Sequence, residues 1–455
     1  MHDQKKPDQA EAFNQTVQMS VLHAEPIAPQ IHPKGSITGE LEPAVEEMNS
    51  ENLQLPRMLK AFQHRGFRLM WTGNFFSNIG TFMQNVAQGW LVLELTNSAY
   101  WLGVVSFAAA APMLVFGLIG GVVADYFDRR RLLMITQVVS MLSAFTLSFL
   151  VFTHRVAVWH VIACAFVTGT ASAIGAPSQQ AILPMLVPRE DITNAVGLNS
   201  AQFNLSRVLG PTIGGFAMEA FGTAGNFFLN GLSFLSLIFA LNRVPLPPIE
   251  RSKEKDFWQK MLAGFRYVHT NRKLRELIEV VTIGSLFGVP YLSFVPYFAR
   301  DILHVGERGL GILMAFSGLG AFFAAVTVAY LGKLRRRGLF ILVNASICFA
   351  AIIGFTFSRI FLLSGLLQMV AGFCLILMVA TINTRMQLLV NEEMRGRVMS
   401  IYSTCYLGLP PIGSYIVGHL SQQTTPPHAI AGMAAIGMVG TFAVFTVRRE
   451  LLNLD

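Results

Sequence analysis

The sequence predicts an all-α membrane protein with twelve transmembrane helices in two six-helix bundles. Three observations predict it: the apolar composition, the number of apolar segments and a likeness between the two halves of the chain. Apolar residues make up 53% of the chain and charged residues only 13%, whereas soluble domains carry about 25% charged residues. The composition therefore excludes an ordinary soluble fold.

Twelve apolar segments, numbered here in chain order, are each close to the ~20 residues that cross a bilayer as a helix. The first six are 70–94, 100–124, 132–152, 157–180, 195–219 and 224–243. The second six are 276–299, 309–332, 338–358, 360–384, 398–420 and 428–447. Several neighbouring segments almost abut, so we expect short turns between them.

The distribution of Lys and Arg orients these segments. With the N-terminus in the cytoplasm, 29 of the 34 basic residues fall in cytoplasmic segments, four fall outside and Arg207 lies within a span. Cytoplasmic loops of membrane proteins are enriched in Lys and Arg. We therefore expect a multi-pass inner or plasma membrane protein with both termini in the cytoplasm. The net charge of +8 then reflects orientation, and no nucleic-acid partner is expected.

The bundles are flanked by polar tails. Residues 1–56 are polar and rich in acids, which predicts a disordered cytoplasmic tail. The first bundle covers 57–243 and the second covers 276–447, and a short cytoplasmic tail follows at 448–455. We expect a monomer.

The linker at 244–275 contains Trp258, Leu262 and Phe265 at helical spacing among Lys and Arg. This spacing predicts a basic amphipathic helix on the inner leaflet. A role in joining the two halves is favoured over a binding role.

The two halves resemble one another around segments 5 and 11. Leu186–Glu190 leads into segment 5, and Leu389–Glu393 leads into segment 11. Both segments then contain Gly and Pro, namely Gly210, Pro211, Gly214 and Gly215 in the first and Pro410, Pro411, Gly413 and Gly418 in the second. A six-plus-six duplication is typical of secondary transporters, whose substrate site lies between the halves near mid-membrane.

Short motifs carry a resemblance to a known family. After segment 2, Gly121, Asp125, Arg129 and Arg130 match the loop motif of the major facilitator superfamily, while Tyr126 and Asp128 depart from it. The motif of segment 5 is matched by Gly210, Pro211, Gly214 and Gly215, with Ser206 at its first Gly. Arg395, Gly396 and Arg397 precede segment 11 as in the same group. The chain resembles the third drug:proton antiporter group, which includes the enterobactin exporter, macrolide efflux proteins and a lysophospholipid transporter.

The resemblance implies a gate at the inner membrane face. Asp125 would bind the start of helix 11, near Arg395, Gly396 and Arg397, because a helix N-terminus carries a partial positive charge. Arg129 and Arg130 would pair with acids near the loop between segments 4 and 5, where Glu190 and Asp191 are available. The alternative is a loop whose Arg residues only set the topology.

The resemblance also implies that the Gly-Pro motif of segment 5 seals an exporter against ion leak. From the residues alone, the motif predicts a bend and close packing of helices 5 and 8. Packing by itself also accounts for the motif.

Arg207 is the one basic residue within a span, where a charge costs at least about 2.5–3.5 kcal/mol at the centre. It shares a helix face with Ser200, Asn204 and Pro211. This face is expected to line the cavity, where Arg207 would bind an anionic substrate group or respond to proton binding. The alternative is a structural Arg whose guanidinium is satisfied by backbone carbonyls.

Other candidate substrate contacts lie on helices 1 and 11. Polar side chains recur along segment 1, where lipid could not satisfy them. Of these we select Asn78, Gln84 and Gln88 as cavity residues, with inter-helix hydrogen bonding as the alternative. Tyr402 and Tyr406 are the candidates on segment 11. For proton coupling, no acid lies clearly at mid-membrane, and Glu94 and Glu279 are the two selected.

These patterns predict a secondary transporter that exports an amphipathic drug or siderophore in exchange for protons by alternating access. A lysophospholipid transporter and a non-transporting membrane sensor are the alternatives. An enzyme is not expected, because His154, His160 and His304 lie at the outer edges instead of clustering at membrane depth. Neither a cofactor nor a metal is expected, since the four cysteines are far apart in apolar runs and no nucleotide-binding motif is present.

Overall fold

The computed structural model describes residues 57–126, 128–244, 257–330 and 337–448. The predicted tail at 1–56 and the first part of the linker lie outside this range. Gly121 and Asp125 fall in a stretch of helix of which only the backbone is described. Within the described part the chain is helical and contains no β-strand, as the composition predicted.

Each predicted apolar segment overlaps a helix, and the helices keep the numbers of the segments. In the first half they are Arg65–Thr96, Ala99–Tyr126, Arg129–Phe152, Val158–Ile182 and the long helix Ile192–Arg243, which contains both segments 5 and 6. Eight helical stretches of the described residues are long and apolar enough to span a membrane, and Ala99–Leu114 is a shorter apolar helix. A multi-pass membrane protein follows directly from these lengths.

Local chemistry explains several helix ends in the first half. Helix 1 ends at Asn97, whose φ of 48° is left-handed, a conformation that Asn tolerates better than most residues. Helix 3 begins after Asp128, whose carboxylate accepts a hydrogen bond from the Arg131 amide at 2.8 Å. The departure from the family motif at Asp128 therefore supplies an N-cap. The long helix is broken at Gly222, where φ is 67°, and this break separates helices 5 and 6.

The second half begins with the linker helix, Phe257–Thr270. Helix 7 then runs from Arg272 to Ile302 as several pieces: Arg272–Ile283, a π-helix at Gly284–Gly288, a 3₁₀-helix at Val289–Phe294, Val295–Tyr297 and a second π-helix at Phe298–Ile302. Helices 8, 9, 10 and 12 are Gly306–Tyr330, Arg337–Phe357, Phe361–Leu389 and Pro426–Val447. Helix 11 consists of Glu392–Ser403, a π-helix at Thr404–Gly408 and Pro410–Gln423.

Two crossings at corresponding positions join the halves. Helix 5 meets helix 8 at Gly215 and Gly311, where a Cβ added to Gly215 would lie 2.8 Å from the Gly311 Cα. Helix 11 meets helix 2 at Gly418 and Gly103, where a Cβ on Gly103 would lie 3.1 Å from the Gly418 Cα. Only glycine allows backbones to approach this closely. The expected packing of helices 5 and 8 is present at Gly215, whereas Gly210 and Gly214 pack against Phe82 and Met83 of helix 1.

Candidate substrate cavity and gate

A cavity of about 310 Å³ lies between the two halves. Helices 1 and 2 supply one wall, and helices 7, 8 and 11 supply the other. Its polar lining consists of Asn85, Gln88, Ser106, Ser293 and Ser414. None of the lining residues that the structure describes is charged, and these residues offer hydrogen bonds and apolar contacts to a ligand.

The broken parts of helices 7 and 11 border this cavity. Pro296, Pro410 and Pro411 line it, and a proline lacks the N–H that would bond the carbonyl four residues earlier. Ser293 Oγ of helix 7 lies 3.2 Å from Ser414 Oγ of helix 11, so a hydrogen bond joins the two broken helices. Irregular backbone at membrane depth is tolerated where it lines a cavity.

One end of the cavity is closed by contacts between the halves. Besides the two glycine crossings, Arg300 of helix 7 donates to the Leu93 carbonyl of helix 1 at 2.5 Å. The Arg308 guanidinium lies over the Phe216 ring, 4.9 Å from its centroid. These residues belong to the helix ends that the basic-residue distribution assigns to the outer face.

Arg207 lies on helix 5, half-buried, beside the helix 5–helix 8 contact. Its neighbour Val208 packs against Gly318 of helix 8, and its guanidinium interacts electrostatically with Tyr291 of helix 7. Across the described part of the chain, no hydrogen bond or ion pair is formed by Arg207. Contrary to the expectation from the sequence, neither Arg207 nor Asn204 is among the lining residues of the central cavity. Asn204, one turn earlier, donates to the Ser200 carbonyl of its own helix at 2.9 Å.

The polar residues of helix 1 divide among three surroundings. Gln88 lines the central cavity. Gln84 is buried and accepts a hydrogen bond from the Asn230 amide of helix 6 at 2.6 Å, so it serves the alternative role of joining helices. Asn78 lines a different cavity.

This second cavity, here called the polar chamber, lies within the first half and has a volume of about 200 Å³. Helices 1, 3, 4 and 6 enclose it. Its polar lining is Asn74, Ser77, Asn78, Thr81, Thr136, Gln137, Ser140, Thr168, Ser172 and Gln179. The Gln179 amide donates to Asn74 Oδ1 at 2.7 Å, and the Ser77 hydroxyl donates to Gln137 Oε1 at 3.4 Å. A polar lining of this kind at membrane depth suits water or a polar ligand.

The predicted tyrosines of helix 11 pack within the second half. The Tyr402 hydroxyl donates to the Val379 carbonyl of helix 10 at 3.1 Å, and its ring stacks on Tyr406 with centroids 6.3 Å apart. Tyr402 is almost fully buried, and neither tyrosine lines the central cavity.

The two predicted proton carriers differ in their partners. Glu94 accepts a hydrogen bond from the Trp90 indole at 2.8 Å. Glu279 forms a bidentate ion pair with Arg448, after the end of helix 12, and lies 3.8 Å from Arg275. Glu279 therefore joins the first and last helices of the second half.

At the inner face, Arg130 has a different partner in the structure from the one expected. Arg130 donates to the Asn242 carbonyl at 2.9 Å, so its predicted pairing with Glu190 or Asp191 is wrong. Asp191 instead accepts from Lys60 at 2.9 Å and is 2.8 Å from His64 Nε2. The hydrogen bond to Asp191 raises the pKa of Lys60. The His64 and Lys60 side chains, spaced four residues apart before helix 1, were the sequence signal for this contact, and the sequence analysis missed it.

Three other predicted gate residues, Arg395, Gly396 and Arg397, belong to the first turns of helix 11. A Cβ added to Gly264 of the linker helix would lie 3.0 Å from the Arg397 Cβ, so the two helices are in close contact there. No atom of the described side chains lies within 4 Å of a Cβ added to Gly396. The start of helix 11 is thus packed against the linker helix, which no residue pattern had predicted.

Comparison with known families identifies the protein class. Residues 58–453 match the family described as transmembrane secretion effector, a family of the major facilitator superfamily. The chain belongs to this family. The match covers nearly the whole chain and confirms the predicted superfamily, and with it the prediction of a secondary transporter.

Curated relatives include two enterobactin exporters. The Enterobactin exporter EntS of Citrobacter koseri is 24% identical over 83% of this chain and 90% of its own length. The EntS of Shigella boydii serotype 18 is 24% identical over 85% of this chain and 93% of its own length.

Solved structures of transporters share the fold. The nucleoside transporter NupG has a TM-score of 0.66 at 12% identity and covers 84% of this chain and 98% of its own. A bacterial homolog of the human lysosomal transporter Spinster, inward-facing and unoccupied, has a TM-score of 0.61 at 15% identity and covers 88% and 97%. The protein is therefore a multi-pass inner membrane transporter with the major facilitator fold.

Proposed function

We propose that this protein exports an anionic, amphipathic siderophore-like molecule from the cytoplasm by alternating access in exchange for protons. It acts through twelve spans in two bundles, 57–243 and 276–447, with both termini in the cytoplasm. The observation that carries the proposal is the cavity between the halves, closed at one end by paired glycine crossings.

The two-bundle arrangement is supported by the positions of those crossings. Gly103 and Gly311 lie on the second helix of each half, and Gly215 and Gly418 lie on the fifth. Each half thus contributes one glycine from its second helix and one from its fifth, as a duplicated fold would. The excess of Lys and Arg on the opposite face supports the cytoplasmic termini.

The nature of the substrate is supported by Arg207 and by the relatives. A guanidinium within a span is costly unless it is paired or hydrated, and the described part of this chain provides Arg207 with no acidic partner. Arg207 does not line the central cavity, so a substrate anion that extends beyond this cavity would supply that partner. The uncharged cavity, with Gln88 and Asn85 among apolar side chains, suits the remaining apolar and hydrogen-bonding parts of the molecule.

Proton coupling and the inner gate complete the proposed cycle. Glu94 is favoured over Glu279 as the proton carrier. The Glu279 carboxylate already forms an ion pair with Arg448, which follows the last helix of the second half. Asp125 would bind the start of helix 11 when the inner end closes, and the glycine crossings would separate at the same step. Gly121, Arg129, Arg395 and Arg397 belong to this proposed latch.

The proposal is tested by measuring the uptake of enterobactin into inside-out membrane vesicles across which a pH gradient is imposed. We expect proton-driven uptake by the wild type. Arg207→Gln should lower it by about tenfold or more, since the loss of one charge-assisted contact removes about 1.5–3 kcal/mol of binding. Arg207→Lys should also be impaired, because Lys does not reproduce bidentate anion binding.

Arg359→Gln is the matched control, because Arg359 is exposed in a short loop and does not line the cavity, and it should retain normal transport. Full activity of Arg207→Gln at normal protein level would contradict the anion site. A wild type that moves neither siderophores nor amphipathic drugs would contradict the proposed export function itself.

A further inference from the structure

The linker helix presents two opposed surfaces. One surface packs on the protein: a Cβ on Gly264 would lie 3.0 Å from Arg397 Cβ and 3.6 Å from Ile401 Cδ1, and Val268 is buried in the apolar core. The helix is therefore held against the start of helix 11, and a side chain larger than glycine at 264 would push the two apart.

The other surface of the linker helix is apolar and uncovered within the described part of the chain. Leu262 is 63% exposed and Phe265 is 48% exposed. They lie three residues apart and so share a face. Two large apolar side chains next to each other at the end of membrane helices 6 and 7 are suited to the acyl region of a leaflet.

The charge around this face is strongly positive. Between Arg251 and Arg275 the sequence contains eight Lys or Arg residues and two Asp or Glu residues. Of these, Arg266 follows Phe265 directly and is exposed. A basic helix with an apolar face matches a leaflet that contains anionic lipids, since its bases meet the headgroups while its apolar residues enter the acyl boundary.

We infer that anionic lipid binds the linker helix through Leu262, Phe265 and Arg266 and thereby regulates the start of helix 11. The helix transmits its position through the close contact at Gly264 and Arg397. Lipid that holds the helix at the leaflet also holds Glu392–Ser403 in place. This inference rests on the proposed function, because helix 11 begins at the proposed inner gate.

The test uses the full chain in nanodiscs of phosphatidylcholine alone or mixed equally with phosphatidylglycerol. Hydrogen–deuterium exchange of Glu392–Ser403 is followed by mass spectrometry. We expect exchange of this segment to be about fivefold slower in the bilayer that contains phosphatidylglycerol. This is the change in an equilibrium that one basic residue contributes when it binds an anionic surface. Arg266→Gln should remove most of this difference, and Leu262→Ser with Phe265→Ser should remove it as well.

Controls separate the binding of lipid from its transmission. Arg359→Gln and Phe149→Ser alter an exposed charge and an exposed apolar residue elsewhere, and should keep the full lipid effect. Gly264→Leu should keep protection of the linker helix by phosphatidylglycerol but lose protection of Glu392–Ser403.

Equal exchange of Glu392–Ser403 in the two bilayers would overturn the inference. The basic face would then be assigned to an acidic soluble partner. A lipid effect that persists in Arg266→Gln and in the Leu262 and Phe265 variant would also overturn it, as would one that Gly264→Leu leaves unchanged. Because exchange is measured without substrate, a failure here is distinguishable from a failure to transport siderophores.

Discussion

The interiors of the two halves differ in polarity although their helices correspond. In the first half, helices 1, 3, 4 and 6 surround the polar chamber. When the arginines at 129–131 and 335–337 are aligned, Thr136 and Gln137 of helix 3 correspond to Leu342 and Val343 of helix 9. The second half accordingly contributes most of the large apolar core. The same arrangement of helices thus encloses a polar cavity in one half and a largely apolar core in the other.

The halves also differ in the regularity of their helices. Helix 1 is continuous from Arg65 to Thr96, whereas its counterpart, helix 7, contains two π-helices and a 3₁₀-helix. Irregular backbone is therefore concentrated in the second half, which has the apolar, tightly packed core. Polar side chains are concentrated in the first half, which has the regular helices. The irregular stretches of helices 7 and 11 border the central cavity, where irregular backbone at membrane depth is tolerated.

The glycine crossings provide the largest expected effect. Gly215→Leu and Gly103→Leu should each abolish most transport, because the added side chain forces apart backbones that are in contact. Overpacking typically costs 1–3 kcal/mol or more, which shifts a two-state equilibrium by about tenfold or beyond. Vesicle uptake measures the effect, and Gly432→Leu, at a position with open space, should transport normally. Loss in only one of the two variants would show that the crossings are not equivalent.

Hydration of the two interiors provides the next largest effect. In a chain with its four cysteines replaced, Ser140→Cys and Ser346→Cys place a thiol at corresponding positions of helices 3 and 9. We expect methyl methanethiosulfonate to modify the chamber thiol about tenfold faster, because the reactive thiolate forms readily only where water is present. Ala176→Leu should slow the reaction by filling the chamber. Equal rates at 140 and 346 would contradict the contrast between the halves.

A smaller effect is expected for Gln368 of the second half, which has the largely apolar core. This residue of helix 10 is fully buried, and neither atom of its amide has a hydrogen-bond partner among the residues that the structure describes. Gln368→Leu should therefore raise the free energy of unfolding by about 1–2 kcal/mol, since an unsatisfied buried amide is costly. Ser140→Ala in the polar chamber should change stability by less. Thermal unfolding in detergent compares the two, and a destabilised Gln368→Leu would indicate that the amide has a partner.

The sequence predicted the helices well because apolar length is a direct physical signal. Twelve runs overlap helices, and the Gly-Pro motif of segment 5 correctly indicated a close helix contact at Gly215. Asp128, which departs from the family motif, turned out to cap helix 3, an ordinary local role for Asp before a helix. These features depend on residues close together in the chain.

The candidate site was predicted less completely, because periodicity identifies a shared face but not what covers it. Gln84 and Gln88 lie on one face of helix 1, yet one bonds Asn230 and the other lines the central cavity. The partner of Arg130 is a backbone carbonyl, which leaves no trace in a charge pattern.

The break at Gly222 has a mechanical consequence. Helices 5 and 6 are joined by a single residue in a left-handed conformation, so the connection contains no spare length of chain. A tilt of helix 5 at Arg207 and Gly215 must then be transmitted to helix 6, where Asn230 holds Gln84 of helix 1. The short junction at Gly222 therefore couples the tilt of helix 5 to that of helix 6. Lengthening it with flexible residues would let the two helices move independently.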